Sequence, residues 1–153
     1  MTVAGIISMA FSLAAMGLSY YVFRTNRAVT SYSNIDRMYF DLLKMAMADP
    51  DFVNPDFTQD YEHKFVGKEQ IRYGLYAFQV WNLCETIYDN RKSRGVLESW
   101  QPVLDHENSL HRKWFDEPLN RKKFKESFGK YLDETVNQND GQKTFPKPYK
   151  LLK

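Results

Sequence analysis

Uncharged residues run from Val3 to Phe23, most of them apolar, and Arg24 and Arg27 follow at once. About 21 residues at 1.5 Å rise cover roughly 30 Å as a helix, the thickness of a bilayer's hydrocarbon core. A cleaved signal peptide would open on basic residues and close on a small-x-small site. Met1–Thr2 carries no Lys or Arg, and the run ends in Tyr20-Tyr21-Val22-Phe23. A buried core helix is rarely free of charge for so long. The predicted element is an uncleaved transmembrane anchor over residues 1–27. Its cations lie only on the C-terminal side, which places the N-terminus outside and the following domain in the cytoplasm. Ala4, Ser8 and Ser12 recur every four positions, so they share a face on which a second membrane helix can approach closely.

The period changes after Ser33. Ile35, Met38, Tyr39, Leu42 and Met45 or Ala46 recur at three- and four-residue steps until Asp49-Pro50, the pattern of an amphipathic helix. Residues 28–33 are either a short hinge or a continuation of the anchor. Asp51–Val66 reads as a connector whose Phe52, Phe57, Tyr61 and Phe65 fold back on the core; Asn54-Pro55 starts a turn within it. Lys68–Arg91 is the longest predicted helix of the domain. Ile71, Leu75, Phe78, Trp81, Leu83, Ile87 and Tyr88 cover most of its circumference, which makes it central. A further helix spans about Val96 to Phe115, with Leu104, Leu110 and Trp114 inside; Pro102 suits only a first turn, which moves its start towards Ser99. Asp116-Glu117-Pro118 opens a last helix to about Asn137, with Phe124, Phe128, Tyr131 or Leu132, and Val136 inside. The fold class is therefore all-α: a single N-terminal membrane helix, a cytoplasmic bundle of about four helices over residues 28–137, and an extended basic tail over 138–153.

Charge changes the picture little. The formal net charge is +2, and Lys143, Lys147, Lys150 and Lys153 concentrate it in the tail. A nucleic-acid domain usually carries a much stronger positive field, so no nucleic-acid partner is expected. The single cysteine, Cys84, excludes an intrachain disulfide and fits a reducing compartment.

Candidate chemistry is sparse. Asn82 and Glu85 lie three apart on the most apolar helix, where a carboxylate needs a partner; Arg72 or Arg112 can supply it. The four residues read as a buried polar network that fixes helix order, or alternatively as an enzyme pocket with Glu85 as general base. Glu107 and His111 are four apart, but the Glu-x-x-His spacing of a di-metal bundle is absent, so no metal, cofactor or catalytic residue is assigned, and His106 and His111 are expected at the surface. Arg121, Lys122, Lys123, Lys125 and Lys130 make the last helix basic on its outer side: a solvated face, or alternatively a surface for anionic lipid or nucleic acid. Phe145, Pro146, Pro148 and Tyr149 in the tail form a candidate docking peptide.

From Glu69 to Val136 the pattern resembles a group of uncharacterised bacterial proteins with an N-terminal membrane helix and a small cytoplasmic helical domain. The residues that carry it are Glu69, Arg72, Trp81, Asn82, Glu85 and Tyr88, then Gly95, Leu97 and Trp100, then Arg112, Trp114, Phe115 and Phe128, with the Asp49-Pro50 helix end. The resemblance implies an all-helical fold and no activity. The function expected is non-catalytic: an accessory or interaction subunit of a larger complex in the bacterial inner membrane, whose partners are other membrane subunits and the bilayer.

Overall fold

Asp49-Pro50 ends the first helix, as its sequence requires, but nothing interrupts that helix before it. The computed structural model describes residues 3–93 and 95–139, with the backbone alone for Ala4, Ile6, Arg24, Arg27, Ala28 and residues 136–139. Helix α1 spans Val3–Ala48 as one rod of 46 residues. The uncharged N-terminal run continues into the bundle without a hinge. A 3-10 turn (Pro50–Val53) and two single-turn helices, α2 (Pro55–Thr58) and α3 (Tyr61–Lys64), form the connector. Then come α4 (Lys68–Asp89), α5 (Val96–Asp116), the short α6 (Pro118–Arg121) and α7 (Glu126–Asn139). All regular structure among the described residues is helical.

Only the C-terminal part of α1 belongs to the core. Ile35, Leu42 and Ala46 are buried, and Met38, Tyr39 and Met45 are half-buried. Before Ser31, every α1 side chain described is exposed. Among the described residues, no helix is long and apolar enough to cross a membrane. The spanning helix expected over 1–27 is not found in that form among the described residues. What the fold carries there is an exposed helical arm.

The connector aromatics fold back as their spacing suggests. Phe65 stacks on Tyr73 at 4.6 Å between centroids, and Phe52 meets Phe65 edge-on at 5.4 Å. The Asn54 side chain accepts the Asp56 N–H at 3.1 Å and caps α2, with Pro55 in the first turn. Helix α4 is central, but not on every side: Ile71 and Leu75, expected inside, are exposed. A helix apolar nearly all round offers no internal cue to which stripe lacks a partner.

Helix α5 begins at Val96, so Pro102 sits in its second turn rather than its first. Pro102 is exposed, and water can reach the backbone carbonyl that its missing N–H leaves free. The predicted last helix is split into α6 and α7. Phe124 lies in the break and is buried against Phe115 and Phe78, at 5.5 and 5.7 Å. Helix α7 reaches Asn139; the rest of the expected tail lies outside the described residues.

Candidate functional site

The four residues expected to form one buried network do not meet; Arg72, Glu85 and Arg112 each take a different partner. Arg72 bonds Asp49 and fastens α4 to the end of α1. Glu85 Oε1 accepts the backbone N–H of Lys125 at 2.8 Å, while Lys125 Nζ bonds Asp89. Lys125 is the residue before α7, and its carbonyl accepts the N–H groups of Phe128 and Gly129. Glu85 therefore fixes the start of α7 from the neighbouring helix, as an N-terminal cap does from within. Glu85→Ala is expected to cost about 1 kcal/mol, measured by urea unfolding, with exchange of the first α7 amides accelerated more than those of α5. Asn82 is half-buried, and its backbone carbonyl accepts the Thr86 hydroxyl at 2.8 Å.

Arg112 belongs to a different constellation. Its Nε donates to Asp116 at 2.7 Å and its Nη2 to Asp133, while Arg121 donates to the same two carboxylates. Both guanidinium groups lie beside the Phe115 ring. Burial alone would raise the Asp133 carboxyl, yet Arg121 and Arg112 hold it below its ordinary value. Gly129 leaves room for this ring of charges: a Cβ there would meet Arg121 Nη2 at 3.2 Å, so the guanidinium would have to shift by a few tenths of an ångström. The ring closes α5, α6 and α7 together.

This use of charge bears on the basic surface. Arg121 and Lys125 are committed to carboxylates, Lys130 pairs with Glu126 at 2.7 Å, and Lys123 bonds Asn120 and sits over the Trp114 ring. Lys122 is exposed. The tail residues Phe145, Pro146, Pro148 and Tyr149 lie outside the described residues. In the small-residue stripe, Ser8 and Ser12 are exposed, and Ser12 Oγ donates to the Ser8 carbonyl at 3.0 Å.

The most unusual chemistry lies where the sequence pointed to surface. His111 is fully buried and Glu107 is 5% exposed; His106 alone of that pair of histidines is exposed. The signal was present: Glu107 and His111 fall on the three- and four-residue steps that join Trp100, Leu104 and Trp114. His111 Nδ1 lies 3.1 Å from the Tyr73 hydroxyl, and its backbone carbonyl accepts the Trp81 indole N–H at 3.3 Å. His111 Nε2 and Glu107 Oε2 are 3.5 Å apart, and neither makes a hydrogen bond. That separation would suit an ion pair, but burial favours the neutral form of each. Burial pushes Glu107 up to about 7, and burial, then His106, pushes His111 down to about 3. Burial, and then the Glu107 charge, raises Tyr39, Tyr76 and Cys84 as well. Cys84 is thus a core thiol held far from its reactive thiolate form.

Neither of two shallow depressions opens onto this cluster or onto Glu85. One, of about 470 Å³, is lined by Phe23, Asn26, Thr30, Ser31, Asn34 and Asn90; the other lies along α1. Among the described residues, no group of three or more His, Cys, Asp or Glu is placed to hold a metal ion. The chain matches no protein family, no curated protein and no solved structure.

Proposed function

We propose that this chain is a non-catalytic, membrane-associated interaction protein: an accessory subunit held to a bilayer by the first half of α1, with its bundle on the cytoplasmic side. The observation that carries the reading is the exposed arm. Phe11, Met16 and Phe23 are 73%, 67% and 65% exposed, and Val3, Leu13, Leu18 and Tyr21 are exposed around them. Apolar surface of that extent marks a membrane or protein contact. It surrounds the helix instead of forming one stripe, which suits lipid better than a single protein groove. Ser12 and Thr25 return their hydroxyls to carbonyls of their own helix, so neither needs water there. Arg24 and Arg27 mark the cytoplasmic end. Other membrane subunits are the partners proposed; no nucleic acid is.

The alternative through the basic last helix draws less support, because most of its cations are occupied by neighbouring carboxylates. The alternative of an enzyme pocket at Glu85 and Asn82 draws less support, because neither of the two depressions described is lined by them. The test is fractionation followed by gentle purification. The full-length chain is expected to stay with membranes in alkaline carbonate, a variant lacking residues 3–23 is expected to be released, and mild detergent is expected to recover the full chain with other membrane proteins. Release of the full chain by carbonate overturns the membrane assignment; recovery as a lone chain overturns the subunit assignment.

A further inference from the structure

The loop between α4 and α5 rises beside α1 where the uncharged arm ends. Asn90 shares the 470 Å³ notch with Phe23, Asn26, Thr30, Ser31 and Asn34. Tyr32 donates its hydroxyl to Ser99 at 3.3 Å, which ties the start of α5 to the same stretch of α1. The loop is tightly built. Ser93 N–H bonds the Asn90 carbonyl at 2.8 Å, Val96 N–H bonds that of Ser93 at 3.2 Å, and Gly95 supplies a φ of +79° that a side chain would resist. So Arg91 and Lys92 follow directly on Asn90, at the end of the bundle that meets α1 around Tyr32 and shares the notch with Phe23.

Their charge is the second observation. Elsewhere on the bundle many cations face carboxylates: Arg72 with Asp49, Lys113 with Glu62, Arg112 and Arg121 with Asp116 and Asp133, Lys125 with Asp89. At this end, among the described residues, Arg37, Arg91 and Lys92 do not. Arg91 lies 3.8 Å from the Tyr88 ring centre and donates to the Tyr88 carbonyl, Arg37 donates to Asn34, and Lys92 is exposed. By sequence, Arg24, Arg27, Arg37 and Lys44 outnumber Asp36 and Asp41 on α1, and Arg91, Lys92 and Arg94 outnumber Asp89 and Glu98 across the notch.

The geometry points to a second membrane contact: the α4–α5 loop, through Arg91 and Lys92, binds anionic lipid headgroups around the notch and sets the bundle upright against the bilayer. This rests on the proposed membrane association of α1. The ligand is the lipid phosphate of the bilayer that takes up the arm, because loop and arm are continuous in space and the cations there lack protein carboxylates. Cations near an anionic surface each strengthen such contact about fivefold, so two contribute about 30-fold.

Hydrogen exchange of the full chain in vesicles tests this. In phosphatidylcholine alone and in phosphatidylcholine with one third phosphatidylglycerol, residues 3–23 are expected to be protected in both. The 89–96 segment is expected to slow only with the anionic lipid. Arg91→Gln with Lys92→Gln is expected to remove that protection about 30-fold, as is the charge-reversed pair R91E/K92E, with tryptophan fluorescence reporting an intact bundle. Equal loop exchange in the two vesicles overturns the inference while arm protection leaves the membrane reading standing. Loss of arm protection in both overturns that reading and this one with it. Protection of the loop by inorganic phosphate in phosphatidylcholine vesicles overturns the lipid as its source.

Discussion

Glu107→Gln stabilises the bundle by about 3 kcal/mol at pH 8 and leaves it close to its parent at pH 4. The sign follows from where the proton resides. Glu107 rises from 4.5 to about 7 on folding because it is buried among Tyr39, Tyr76, Cys84 and His111. Between those values the folded chain keeps a proton that the unfolded chain has released, so stability falls as pH rises through the window. Glutamine keeps the shape of the protonated carboxyl and has no proton to lose. His111 acts in the opposite direction: held near 3 in the fold against 6.5, it costs stability as pH falls below 6.5.

The two effects overlap instructively. From about 3 to about 7 the folded pair holds one proton, wherever between Glu107 and His111 it sits. The unfolded chain sheds one near 4.5 and a second near 6.5. The parent is therefore expected to show a flat stability maximum between those two values. The Glu107→Gln variant instead gains stability up to 6.5 and then levels. Urea unfolding across pH, read by tryptophan fluorescence in detergent, separates the two curves; superimposable profiles would refute the buried carboxyl.

Trp81→Ala is expected to destabilise the bundle by about 3–5 kcal/mol. Trp81 has no exposed surface and lies 4.4 Å from the Phe115 ring centre and 6.2 Å from that of Phe128. It joins α4 to α5 and α7 at one point. Its indole N–H also donates to the His111 carbonyl, so truncation leaves a cavity and removes a buried hydrogen bond. Trp81→Phe keeps most of the volume and loses only the hydrogen bond, so a cost of about 1–2 kcal/mol is expected. The same unfolding measurement decides both, and equal costs for the two variants would refute the packing account.

Much of the fold was legible because helices announce themselves locally. The lower half of α1, its stop at Asp49-Pro50, the inward turn of Phe52, Phe57, Tyr61 and Phe65, and the burial of Leu104, Leu110, Trp114, Phe128 and Leu132 followed from spacing and turn chemistry. The polar centres were harder to read. Glu85 was singled out by its apolar surroundings, yet its partner is a backbone N–H forty positions away, which no side-chain pattern reports. Glu107 and His111 lie on the apolar stripe of α5, but their charges among Asp105, His106 and Arg112 argued for water.

The sequence by itself determined the all-helical class, the helix ends set by proline, and the uncharged N-terminal run, because each depends on residues within a few positions of one another. Tertiary structure decided which stripe of α4 faces solvent, that α1 carries its arm into the bundle unbroken, that the last helix divides at Phe124, and that Glu107 and His111 share an interior. Those outcomes depend on which surfaces meet, and burial and proton affinity are set by neighbours that only the folded chain assembles.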